Sequence, residues 1–151
     1  MAARRRPSES EARHAIFLIS SGIDPLEPGI VDPYLDNAIE VVERTGTQVS
    51  TIYTAMEGHF GHSYWRFTRG QDNLAEIAED SGGESYFEGF NTPISFTPFL
   101  NEFADRLSHQ YRLTFQIKPD KKPSYQHVRL ETEVPNADLV SADRVYVPTA
   151  K

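Results

Sequence analysis

Cysteine is missing from all 151 residues, so neither a disulfide framework nor a thiolate metal site is available, and the compartment is left open. Missing too is any apolar run approaching the 18 or so residues that cross a bilayer as a helix. The basic residues near the amino end are followed by polar ones rather than by a signal peptide's apolar stretch, so no export signal is read. Beyond that leader, basic charge is scarce. Lys and Arg number 15 against 22 Asp and Glu, and Arg4, Arg5, Arg6 and Arg13 all fall within the first thirteen residues. The remainder carries about nine net negative charges, which argues against the clustered Lys and Arg of a nucleic-acid footprint. Nucleophile elbow, phosphate-binding glycine loop and paired His-Glu helix motif are absent as well. Catalysis therefore has no sequence signature, and the expectation is a chain that is not an enzyme.

What is present reads as one domain's worth of mixed α/β protein. The apolar run in "RHAIFLISSGIDP" stops abruptly at Ser20-Ser21-Gly22, as a strand buried on both faces does at a binding edge. In "DPYLDNAIEVVERTG", Asp32 as cap, Pro33 at the first helical position, the stripe Leu35, Ala38, Ile39 and Val42, and Gly46 at the end predict a helix. "TQVSTIYT" follows as a second buried strand, completing a parallel crossover. "AMEGHFGHSYWRFTRGQ" lacks periodicity and is expected to be a long loop at the strands' carboxyl edge, where open parallel sheets bind ligands. A shorter helix, "DNLAEIAEDSGG", turns Leu74, Ile77 and Ala78 inward, and "ESYFEGF" is a third strand. Thr97 as cap, Pro98 next to it, and Phe99, Leu100, Phe103 and Leu107 on one face predict a further helix. Beyond it the period changes to two: Tyr111, Leu113, Phe115 and Ile117 alternate with polar residues, and Val128, Leu130, Thr132 and Val134 do so again. These two segments are expected to form an antiparallel hairpin, with "DRVYVP" as a short edge strand stopped by Pro148. Residues 1–13 then form a flexible basic leader, 14–110 the α/β domain, and 111–148 a β extension packed on it.

The order of "AIFLISSGID", helix, "TQVSTIYT", "NLAEIAEDSGGESYF", helix, "LSHQYRLTFQIKP" and "YQHVRLETEV" resembles the second half of the von Willebrand factor A (VWFA)-related domain family of the acidobacterial type, over residues 14 to about 148. The resemblance implies a Rossmann-like parallel sheet with flanking helices, shortened at its amino end, plus a carboxyl-terminal antiparallel hairpin. It also implies a metal-ion-dependent adhesion site at the carboxyl edge, built on Asp-x-Ser-x-Ser, a threonine and a strand-ending aspartate, which would hold Mg or Mn through oxygen ligands. This sequence departs from that pattern. Its nearest string, "RPSES", has Arg6 where the aspartate belongs, and Ser21 stands where the family reads aspartate after the strand. The site is thus expected to be degenerate, with a cation held only if another chain completes it. The family's strand order also implies that residues 15–19 lack a neighbour, so the edge is expected to take another chain or to self-associate.

Other groupings are weighed on their own. Ser20, Ser21 and Asp24 are weak cation candidates, set against Asp24 serving only the loop. Glu57, His59 and His62 in "MEGHFGH" are a feasible metal set for a hydrolase, set against a plain exposed loop. Tyr64, Trp65 and Arg66, with Phe67 and Arg69, have the composition of an interface patch, set against Trp65 folding down as a lid on the sheet. The leading expectation is a protein-interaction or adhesion module. It binds a protein partner through Ser20, Ser21, Gly22, Asp24, Tyr64, Trp65 and Arg66, without a cofactor, nucleic acid or membrane span. Alternatives are the His/Glu hydrolase and a structural half-domain completing a partner's sheet. For a full-length protein the resemblance suggests an extracytoplasmic setting.

Overall fold

The computed structural model describes residues 14–24, 33–55, 64–111, 113, 116–117 and 122–149. Strand β1 (Ala15–Ser20) leads to helix α1 (Pro33–Thr45), strand β2 (Gln48–Tyr53), helix α2 (Tyr64–Ser81) and the two-residue strand β3 (Ser85–Tyr86). The three strands are parallel in the order β1-β2-β3, with Ile16 beside Val49, Phe17 beside Ser50, and Ile52 beside Tyr86. Helix α3 (Thr97–Ser108) follows, and strands β4 (Ser124–His127) and β5 (Arg144–Val147) pair antiparallel as a separate ribbon.

Alternation along the central strand divides the core into two layers. Val49 turns to Ile39, Val42 and Ile77, joined by Ile16, Leu18, Leu35 and Ala38, so α1 and α2 share one face of the sheet. Two crossovers of the same hand place their helices this way. The opposite face belongs to α3, where Phe103 packs 4.9 Å from Phe17 and Phe99 packs 5.5 Å from Tyr86, ring centre to ring centre. Ile52 is fully buried, which stabilises the fold by roughly 1.5–3 kcal/mol relative to an exposed side chain. Buried hydroxyls on β2 find partners, as they must in a low-dielectric interior. Thr51 Oγ1 donates to the Leu74 carbonyl at 3.2 Å, and Ser50 Oγ accepts the Glu84 N–H at 3.3 Å.

Helix α1 begins at Pro33 and closes as its sequence predicts. Gly46 and Thr47 return their N–H groups to Glu43 and Val42, and Gly82 and Gly83 do the same for α2 with Glu79 and Ala78. Asp32, read as the cap of α1, lies outside the described residues. Four other expectations need correction. Residues 64–71 are not loop but the first two turns of α2. Phe67, Gly70, Leu74, Ile77 and Ala78 follow one helical stripe, and the stripe is hard to read because a glycine occupies its second place. Thr97 does not cap α3: Phe96 holds that position without a side-chain bond, and Ser95 Oγ accepts the Thr97 N–H at 3.2 Å. The third strand is two residues long, since Gly89 turns the chain and Glu88 bridges to Asn91.

The fourth correction concerns the hairpin, whose strands are 124–127 and 144–147 rather than 111–117 and 124–134. Of the first segment, the described Tyr111, Leu113, Gln116 and Ile117 are not in a strand, with Tyr111 94% and Leu113 62% exposed. Alternation specifies a strand only where one face has something to bury against. Tyr125 and Tyr146 have that: their rings pack 5.5 Å apart, Arg44 of α1 lies 5.0 Å over the Tyr146 ring, and β5 rests on α1. Leu130 and Val134 remain exposed. β5 ends just before Pro148, as expected.

Candidate functional site

At the carboxyl edge, the turn leaving β1 is clamped onto α2. Gly22 adopts φ +68°, a conformation in which a side chain is strained. Ser20 Oγ accepts the Gly22 N–H at 3.1 Å, and Asn73 Nδ2 donates to the Gly22 carbonyl at 2.8 Å. Gly22 and Gly70 face each other so closely that a methyl on either would run into backbone, the Gly70 carbonyl in one case and the Ser21 carbonyl in the other. Thr54 N–H completes the arrangement by donating to the Ser20 carbonyl at 2.9 Å. The serine tip is therefore part of a strand-to-helix joint. Asp24, just beyond it, is exposed.

The same end of the sheet carries an aromatic surface. Phe90 lies between Tyr64, edge-on at 5.5 Å, and Phe67, stacked at 5.6 Å. Gln71 Nε2 donates to the Gly89 carbonyl, and Ala55 N–H donates to Thr92 Oγ1 at 3.0 Å, fixing the 87–92 loop to α2 and to the end of β2. Tyr64, Trp65, Phe87 and Phe90 stay between 41% and 70% exposed. Trp65 is thus an outward residue on a helix rather than a lid on the sheet, and Arg66 beside it is half-buried. Behind the surface, the Tyr53 hydroxyl at the end of β2 has its pKa raised by burial.

Of the sequence candidates, Ser20, Ser21 and Gly22 lie together on the joint with Asp24 just beyond it, and Tyr64, Trp65 and Arg66 begin α2. Glu57, His59 and His62 lie outside the described residues. Among the described residues no three His, Cys, Asp or Glu side chains gather where a metal could be held. Phe87 and Phe90 were not singled out by the sequence, although "YFEGF" places an aromatic on each side of the turning glycine.

A second concavity was also missed. Between α1 and α2, an open groove of about 270 Å³ is lined by Asp36, Ile39, Glu40, Glu43, Glu76, Asp80, Tyr125 and Arg144. Arg144 Nε donates to Glu43, whose side chain is 1% exposed, and its Nη2 stands 4.0 Å from Asp80. The guanidinium also lies 5.1 Å over the Tyr125 ring. Burial raises the Glu76 carboxyl, with Asp80 and Asp36 adding to the shift and Arg69 opposing it. The signal was available as acids four apart on each helix, Asp36 and Glu40, Glu76 and Asp80; that the two rows face one groove follows only from the fold. Arg144 makes the groove a joint that fastens the ribbon to the helices.

No family model, curated protein or solved structure matches the chain. No described helix is long and apolar enough to cross a membrane.

Proposed function

We propose that this chain is a non-enzymatic protein-interaction module of the VWFA-like kind, which engages a protein partner through its carboxyl edge without a bound cation. The observation that carries the reading is the aromatic surface of Tyr64 and Trp65 on α2 with Phe87 and Phe90 on the loop fastened to it, each between 41% and 70% exposed. Aromatic side chains offer large contact area at small entropic cost and dominate interface energetics. The clamp at Gly22 and Gly70 fixes the neighbouring tip, so the partner meets a pre-ordered surface. Ser21 at the place of an aspartate, and a Ser20 hydroxyl already engaged with Gly22, favour recognition that does not use a metal.

The test is site-directed photocrosslinking. A photoreactive residue at position 65 or 87 is expected to capture one and the same polypeptide, in EDTA as well as in magnesium. The same residue at 131, on the exposed segment after β4, is expected to capture none of it. Phe90→Ala should lower the capture at 65 while leaving circular dichroism unchanged. Equal capture from 131, or capture that requires magnesium, would overturn the proposal.

A further inference from the structure

The outer side of β1 presents a bare strand. Gln48 N–H bonds the His14 carbonyl and Thr54 N–H bonds the Ser20 carbonyl, so the even-numbered residues of β1 turn their backbone groups to β2. Ala15, Phe17 and Ile19 consequently aim their N–H and C=O groups at the outer edge, where no other strand pairs with them among the described residues. Proteins ordinarily protect such an edge with a lysine, a proline, a bulge or a covering loop. Residues 15–22 contain no charge and no proline. The side chain of Ile19 is 48% exposed, although its neighbour on β2, Ile52, is wholly buried.

We infer that this edge pairs with a second copy of the same chain, β1 against β1 in antiparallel fashion about a two-fold axis at Phe17. That register sets Phe17 beside its counterpart and makes roughly six hydrogen bonds from the three outward residues of each copy. It places bulky Ile19 opposite small Ala15 of the other copy at both ends, so the pairing is complementary in size as well as in backbone. Because the axis runs through the sheet, the α3 faces of both copies lie on one side, and Ile19 gains an apolar neighbour there. Charge agrees with it. Residues 15–22 carry no charge, so no like charges are brought together along the paired strands. A two-fold pairing also closes on itself, whereas head-to-tail addition of β1 to the β3 edge of another copy would leave an open edge at each end and build fibres. This interface is on the flank of the sheet and does not depend on the carboxyl-edge reading.

The purified full chain is expected to scatter light as twice its 17.1 kDa mass, with the amides of Ala15, Phe17 and Ile19 slow in hydrogen exchange. Ile19→Lys should give a folded monomer in which those three amides exchange quickly, and Ile94→Lys, at a fully exposed position, should leave the dimer intact. The absence of native cysteine permits a register test that does not rely on Ile19→Lys folding. Ala15→Cys mixed with Ile19→Cys should form a disulfide-linked pair, and Ala15→Cys alone should not. A monomer at tens of micromolar overturns the inference, whether its edge amides exchange quickly or are protected by another segment of the same chain. So does a dimer that Ile19→Lys leaves whole, or one in which Ala15→Cys links to itself.

Discussion

Replacing Gly70 by alanine sets two effects of known size against each other. In the interior of a helix such as α2, the exchange ordinarily stabilises by roughly 0.5–1 kcal/mol, because alanine has less backbone freedom to lose. Here the new methyl would enter the space of the Ser21 carbonyl and stand 3.3 Å from Ile23 Cγ1. A main-chain oxygen cannot swing aside as the end of a flexible side chain can, so either the tip or the helix must move. Overpacking of this kind costs about 1–3 kcal/mol, and the net expectation is a loss of roughly 1–2 kcal/mol. In a chain of this length each kcal/mol lowers the melting temperature by about 2–4 °C. Gly22→Ala meets the Gly70 carbonyl and Leu74 Cγ at 2.9 Å, and adds a left-handed backbone at φ +68°, so it should lose more, by about 1–2 kcal/mol. Gly89→Ala serves as a control, being left-handed at φ +60° with nothing within 4 Å; only the backbone cost of about 1–2 kcal/mol should appear. Urea titration with an unchanged slope gives the comparison. A Gly70→Ala protein as stable as the parent, or more so, would refute the clamp.

Three further outcomes follow from the groove and the tip. Arg144→Met leaves the buried Glu43 carboxylate without its guanidinium. Breaking a fully buried pair costs about 3–5 kcal/mol, reduced here to roughly 1.5–3 kcal/mol because Arg144 is 39% exposed to water. A double-mutant cycle with Glu43→Gln should give a coupling of about 1 kcal/mol, and additivity within about 0.5 kcal/mol would dismiss the pair. Glu76→Gln should stabilise the protein at neutral pH, because burial and then Asp80 and Asp36 hold the folded carboxyl above its ordinary 4.5. The folded state then binds more protons than the unfolded state just above that value, so parental stability falls as pH rises through this window. The advantage of the glutamine variant should vanish below pH 4.5, and a growing advantage on acidification would reverse the sign and sink the argument. Ser20→Ala removes the acceptor of the Gly22 N–H and should cost about 1 kcal/mol in the same urea assay, with no change implying that water replaces the hydroxyl.

Legibility of the fold tracked how local its causes are. Helix α1 could be read from Pro33, its apolar stripe and Gly46, all of which act within a few residues of the helix ends. β2 could be read from its β-branched run, which suits a strand paired on both sides. The start of α2 could not, because Gly70 is placed there by a tertiary contact with the serine tip and depresses the local helical signal. Alternation at residues 111–117 and 128–134 misled for the opposite reason: the pattern is present, but the described residues have no face to bury against. The strands that do form carry Tyr125 and Tyr146, whose support comes from Arg44 and Arg144 across distances no periodicity reveals. As for the site, Tyr64, Trp65 and Phe67 were visible as a cluster, whereas Phe90 joins them only because Gly89 folds the chain back.

One contact positions two surfaces. The Gly22–Gly70 approach lies where β1 ends and only a few residues into α2, so it sets both the direction in which the tip leaves the sheet and the height at which Tyr64 and Phe67 meet Phe90. The outer backbone edge of β1, by contrast, takes its register from the β2 ladder from His14 to Ser20, not from the Gly22–Gly70 contact. A methyl at Gly70 should therefore disturb carboxyl-edge capture at position 65 and leave pairing through Ala15, Phe17 and Ile19 intact. Ile19→Lys should do the reverse, since its side chain stands on the flank. If Gly70→Ala dissolved the dimer as readily as it weakened capture, the two surfaces would be one mechanical unit. The reading of a rigid sheet with independently placed faces would then have to be abandoned.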